Sequence, residues 1–287
     1  MQPILLLRSL RPGAIYLGGR FAGEVDADRE LILPVAAQGV QILELHPYDD
    51  SVPLARRLVF AGGVPVADAW GGLSGIHAVV WPGGMVEVEI SDAPQIEEMP
   101  PPRMLGELEV YEKDTENGRL IIVRRAGHEL LRVAGREAML RADGSVYVVE
   151  DLNDEVGHAR AVVYMPGAEG YEPVSVDMLW SNGMPMWPET AEGCAVATLQ
   201  AALLGLTGEA GGYLAPGYAL ESVPVNILID GYDACTRMRF PAPGSESAVA
   251  LLKLEGENLF RATPVFYRAS LSGGMQGSYK IEHFAVR

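Results

Sequence analysis

The residues most able to do chemistry in this chain stand at spacings that stop short of any complete motif. His128-Glu129 opens like a zinc-binding His-Glu-x-x-His helix, but Arg132 occupies the place of the second His, and a strand residue is expected instead. Asp151-Leu152-Asn153-Asp154-Glu155-Val156 has the oxygen-rich start of a calcium loop. Val156 replaces the turn glycine and Val162 the closing carboxylate, so a solvated hairpin loop is expected. Gly72-Leu73-Ser74-Gly75-Ile76 approaches a nucleophile elbow, yet Ile76 stands where a second glycine is required. Cys194 and Cys235 form no Cys-x-x-Cys pair and have no neighbouring His pair, which predicts neither a disulfide framework nor a zinc site. No metal and no cofactor is expected.

Three further groups carry the catalytic alternative. Asp230, Tyr267 and His283 fall on expected strands near the C-terminus, and strand alternation puts Tyr279, Ile281, His283 and Ala285 on one face of the last strand. A His beside a carboxylate is the arrangement of a general base, so His283 with Asp230 would be the acid–base pair of an enzyme. A structural role for this His is the expected one.

Trp180-Ser181-Asn182-Gly183-Met184-Pro185-Met186-Trp187 gathers two tryptophans and two methionines around an Asn-Gly turn. Such a cluster either fills the gap between two packed domains or forms an exposed contact patch. Burial at a domain interface is the preferred expectation. Trp180, Met184, Met186, Trp187 and Tyr267 are the candidate ligand or interface residues.

The elements that must position these groups are mostly strands. Gly and Pro are abundant, at 33 and 20 residues, which suits short strands joined by tight turns. Val86, Val88 and Ile90 alternate with Glu87 and Glu89, as in a strand with one wet face, and Gly18-Gly19 separates two apolar runs by the length of a hairpin turn. Residues 1–92 read as a β-sandwich. Residues 93–103 contain three consecutive prolines and read as a linker. Residues 104–187 read as an antiparallel β-meander, punctuated by Asn117-Gly118, Asp143-Gly144 and Asn182-Gly183. In residues 188–287, Thr190 caps a helix with apolar positions at helical spacing up to Leu206, a short second helical piece covers 209–214, and strands follow at 225–229, 235–240, 248–254, 259–267 and 279–286. The expected fold class is mainly β with a C-terminal α+β domain.

Two segments resemble known families. Arg11-Pro12-Gly13-Ala14-Ile15-Tyr16-Leu17-Gly18-Gly19-Arg20-Phe21-Ala22-Gly23-Glu24 resembles part of a PEGA domain: Pro12, Gly13 and Ala14 match its signature, whose Glu is missing, and Gly18-Gly19 takes its turn. The resemblance implies a small β-sandwich used for interaction in multidomain bacterial proteins. The last hundred residues resemble, in their layout, the nuclear transport factor two-like cone fold, with a capped helix and a short helical turn near Tyr213 ahead of a curved sheet around a pocket. That fold hosts enzymes and binding modules alike, so it carries no catalytic residue across.

Charge and hydropathy narrow the classes of partner. The formal net charge is -16 and is spread along the chain, which disfavours nucleic acid and anionic lipid, since both need clustered Lys or Arg. No run approaches the roughly 18 apolar residues of a membrane helix. Arg8 stops the run Ile4–Leu7, and no basic residue precedes it, so a first strand and a cytoplasmic location are expected. The function expected is a non-enzymatic protein-interaction or small-ligand-binding role. A cone-fold enzyme using His283 and Asp230 and a structural or surface-assembly subunit are the alternatives.

Overall fold

The computed structural model describes residues 4–9, 12–26, 29–34, 39–49, 54–61, 64–68, 76–82, 85–90, 100–115, 118–152, 154–167, 170–218, 223–239, 247–256, 259–272 and 279–286. The chain is mainly β, and its helices lie between Ala191 and Leu228. It divides into two units, one made of residues 1–95 with 189–287, the other of residues 96–188.

In the first unit the strand β1 (Ile4–Ser9) lies between β4 (Leu31–Pro34), antiparallel, and β9 (Met85–Ile90), parallel. A strand flanked on both sides and covered on both faces reads as an unbroken apolar run, and Leu5, Leu6 and Leu7 are all buried. The sheet continues through β8 (Ile76–Trp81) to β20 (Leu259–Leu271), β19 (Ala248–Gly256) and β18 (Ala234–Arg237). The length of β20 lets it serve two neighbours: Leu259–Arg261 pair in parallel with Ala78–Val80 of β8, and Phe266–Leu271 pair antiparallel with β21 (Tyr279–Ala285). Residues 1–92 and 188–287, expected as separate domains, thus contribute strands to one eight-stranded sheet. Contacts this distant in sequence leave no local pattern from which a shared sheet could be read.

A second sheet of five strands takes β3 (Arg20–Val25), β2 (Gly13–Leu17), β5 (Gly39–Pro47), β6 (Leu54–Ala61) and β7 (Val64–Asp68), in that order. The two sheets pack face to face. Leu5, Leu7, Val80 and Val86 of the larger sheet share a core with Ile15, Val25, Leu43 and Leu45, and Leu259 joins them. Gly18 and Gly19 both have positive φ, 58° and 73°, the pair a tight hairpin turn between β2 and β3 demands.

The helix α1 (Ala191–Leu203) starts where Thr190 accepts a hydrogen bond from the Gly193 amide at 2.9 Å. It packs on β18, β19, β20 and β21, and on α2 (Thr207–Gly212). Gly193, Cys194, Ala195, Ala197 and Ala201 are buried, small side chains that let backbones approach. Gly205, with φ 75°, ends it. Residues 225–229, expected as a strand, form instead the short helix α3 (Val225–Leu228) behind Pro224, whose carbonyl accepts from the amides of Ile227 and Leu228. Four apolar residues cannot distinguish a strand from a helical turn by periodicity, and the preceding proline suits a helix start.

The second unit holds two four-stranded antiparallel sheets. One runs β10 (Arg103–Leu105), β11 (Leu108–Thr115), β12 (Gly118–Arg125), β13 (His128–Gly135); the other β14 (Glu137–Leu140), β15 (Val146–Asp151), β16 (His158–Pro166), β17 (Tyr171–Trp180). Each is a meander in chain order. Val110, Ile121, Val123, Leu131 and Val133 of the first pack with Ala138, Val146 and Val148 of the second. The expected linker gives way to β10 at Arg103; Pro100–Pro102 are exposed, and 93–99 lie outside the described residues.

Candidate functional site

His283 lies on β21, paired with β20. The register of the two strands shifts by one residue between Arg268↔His283 and Ala269↔Ile281, so Glu282 is an extra, bulged residue. The bulge reverses the face of everything beyond it. Ile281 and Phe284 are both buried, and His283 lies opposite Arg268, while Tyr267 lies opposite Phe284 on the other face. The face expected to be shared by Tyr279, Ile281, His283 and Ala285 is therefore broken at Glu282. Asp230, expected on a strand, is exposed in the turn after α3. Tyr267 is half-buried, and burial, then the Glu192 carboxylate, pushes its hydroxyl up from the usual phenol range. Arg237 lies 3.8 Å from that same Glu192.

The Trp-Met cluster separates into two environments. Trp180 is half-buried and stacks on His158, ring centroids 4.5 Å apart and planes inclined by 23°. Trp187 is 63% exposed, Met184 68% and Met186 48%, so the expected burial is not found for them. The Met186 amide donates to the Val156 carbonyl at 3.1 Å, which holds this segment beside the loop between β15 and β16.

That loop was expected to be solvated, and it is not. Val156 is fully buried, and the side chains of His158 and Asp154 are only 2% and 7% exposed. Asp154 Oδ1 accepts from the His158 amide at 2.8 Å, and its Oδ2 lies 2.5 Å from His158 Nδ1. Gly157, with φ 76°, makes the turn that brings the two together. A carboxylate, a positive-φ glycine and a His within five residues were the available signal. His128 and Glu129 open β13 as expected, Glu129 paired with Arg132 at 2.9 Å. Gly72–Gly75 lie outside the described residues.

Both cysteines are buried and free, and burial raises both thiols, Cys194 to about 11. Cys194 Sγ donates to the Tyr279 carbonyl at 3.2 Å. A thiol so placed is a packing residue, since the thiolate is the reactive form. Among the described residues no group of three or more His, Cys, Asp or Glu is gathered to hold a metal ion, and no helix is long and apolar enough to cross a membrane.

Sequence reasoning missed the arrangement with most binding chemistry. Strand alternation turns Arg8, Val79, Trp81 and Glu87 away from the sandwich core, to the other face of the eight-stranded sheet. There, with Thr236, Arg237, Met238, Arg239 and Leu252, they line an open cavity of about 390 Å³. Val79, Trp81, Met238 and Leu252 form its apolar wall. Glu87 is the hub of its polar side: Oε2 accepts from Trp81 Nε1 at 2.9 Å, and Oε1 lies 3.1 Å from Arg239 Nε and 3.9 Å from Arg8 Nη1. Arg8 Nε also donates to Glu30 Oε1 at 2.6 Å, and Arg239 Nη2 donates to that same oxygen. These two guanidinium groups hold the Glu30 carboxyl below its usual range. Arg8 and Arg239 are separated by most of the chain, so only the shared sheet reveals the cluster. A second cavity of about 370 Å³, in the other unit, is lined by Arg119, Arg136, Met139 and Tyr147 among others, with both arginines engaged by acidic side chains.

No family model, no curated protein and no solved structure matches this chain.

Proposed function

We propose that this chain is a non-enzymatic binding protein and that its small-ligand site is the cavity on the eight-stranded sheet. The observation that carries this reading is the convergence of an apolar wall with three arginines, Arg8, Arg237 and Arg239, and an indole N–H in a cavity of about 390 Å³, the volume and mixed lining that small-molecule sites have. The enzyme alternative needs His283 and Asp230 to converge. A His283 that shares its face with Arg268, and an Asp230 exposed on a turn, favour binding over acid–base work. The resemblance of the β2–β3 hairpin to PEGA domains belongs to the same reading, as that of an interaction module.

The test is a thermal-shift screen of small organic molecules against the parent and a Leu252→Trp variant that fills the cavity. A ligand that binds only the folded state raises the melting temperature with its concentration. Hits lost in the filled variant support the site; hits that persist in it, or none at all, count against it.

A structural or assembly role has one observation of its own. β17 is an edge strand, and Val174 and Val176 are each 56% exposed on it. Pro173 and a bulge at Val174 blunt its first half, as protected edges do. Light scattering that finds a concentration-independent monomer would remove this second reading.

A further inference from the structure

Resting on the cavity as a ligand site, we propose that its ligand is a small organic acid with an apolar tail, and that Glu30 is a built-in stand-in for the ligand's carboxylate. The two carboxylates in the cluster are not equivalent. The Glu87 side chain is 12% exposed, sits on β9 and is held by Trp81 of β8 and by Arg239 just beyond β18, whereas that of Glu30 is 36% exposed and precedes β4. One oxygen of Glu30 receives both Arg8 and Arg239, which shows the guanidinium pair already oriented to clamp a carboxylate at the cavity edge. Around Glu30 and Glu87 the cluster balances two guanidinium groups with two carboxylates, and Arg237, the third arginine lining the cavity, lies 3.8 Å from Glu192, a carboxylate that does not line it. An incoming carboxylate added to the cluster would leave excess negative charge in a chain of net -16, so it binds by exchange with Glu30. Its tail then lies along Val79, Met238 and Leu252, against the Trp81 indole.

Exchange makes a specific demand on the Glu30→Gln variant. With the resident charge gone, that variant should bind hexanoate at least tenfold more tightly than the parent, read by calorimetric titration at pH 7. Adding Arg239→Ala to it should abolish the gain, and hexanamide, equal in shape but uncharged, should bind neither protein detectably. If hexanoate and hexanamide bind alike, the guanidinium clamp plays no part: the acid class is wrong while the cavity remains a ligand site. Equal hexanoate affinity in the parent and Glu30→Gln overturns the exchange. If acetate binds Glu30→Gln as tightly as hexanoate does, the apolar wall is not used and the tail assignment fails. The Leu252→Trp variant keeps the two readings apart. Binding of hexanoate that survives in it lies elsewhere, which sinks the cavity itself.

Discussion

The imidazole of His158 lies flat beneath the indole of Trp180, 4.5 Å away, while its Nδ1 faces Asp154 Oδ2 at 2.5 Å. This ties the end of β17 to the turn before β16, and a neighbouring set of bonds reinforces it. Ser181 Oγ donates to Asp151 Oδ1 at 2.6 Å, and Arg136 Nη1 reaches both Asp151 Oδ1 at 3.0 Å and the Ser181 carbonyl at 2.7 Å. Removing one partner of a buried hydrogen-bonded pair and leaving the other unsatisfied typically costs about 1–3 kcal/mol. His158→Ala should therefore destabilise the second unit by that order, read as a lower midpoint in urea. Trp187→Ala, at an exposed position, should stay within about 0.5 kcal/mol of the parent. Equal losses in both variants would mean that the pair at His158 is not what holds the loop.

Much of this fold was legible because strand alternation, turn glycines and a Thr cap are local signals. Val86 and Glu87 face opposite ways as the pattern predicts, Gly18-Gly19 makes its hairpin turn, and Thr190 caps its helix. The failures share a cause. One bulged residue, Glu282, reverses the face of His283, and alternation read from sequence has no means of locating a bulge. The pairing of β8 with β20 and the meeting of Arg8 with Arg239 through Glu30 depend on tertiary partners. His158 escaped notice because one Gly turn brings a carboxylate onto a ring that neither residue's strand pattern would place together.

The Glu30 cluster has a pH signature whose sign is fixed by its partners. The carboxyl is held below its usual range by Arg8 first and Arg239 next. A depressed carboxyl contributes stability that is complete above the unfolded value, about 4.3 for Glu, and is lost as pH falls through the lower folded value. Glu129 beside Arg132, and Glu255 beside Arg261, act in the same direction. Glu30→Gln should accordingly narrow the gap in melting temperature between pH 6 and pH 3, with the larger loss at pH 6. A gap unchanged from the parent would show that Glu30 has no net preference for the ionised form in the folded chain.

The cysteines predict a contrast between native and unfolded protein. With its thiol pushed up to about 11 and donating to the Tyr279 carbonyl, Cys194 has little thiolate at pH 8, and Cys235 is raised further. A free thiol near its ordinary value of about 8.5 is partly ionised there. Native protein should be alkylated by iodoacetamide at both positions far more slowly than protein in concentrated guanidinium, as peptide mass spectrometry would resolve. Rapid native labelling of Cys194 would indicate that its pocket in α1 opens readily.

The shared sheet makes the strongest demand on the architecture. Site-specific protease sequences placed at 100–102 and at 187–189 would cut the chain on either side of the second unit. If residues 1–92 and 188–287 were separate domains, the two flanking fragments should part on a sizing column without denaturant. The pairing of Leu259–Arg261 with Ala78–Val80, and the burial of Leu259 in one core with Leu5 and Leu7, require the opposite. Removing β20 would uncover an edge of β8 and strip that core of Leu259, and large aliphatic losses of this kind cost on the order of 2–5 kcal/mol. The flanking fragments should then co-elute and melt together, separating only in urea. Co-elution that persists after Leu259→Asp would show that the fragments are held by something other than this junction.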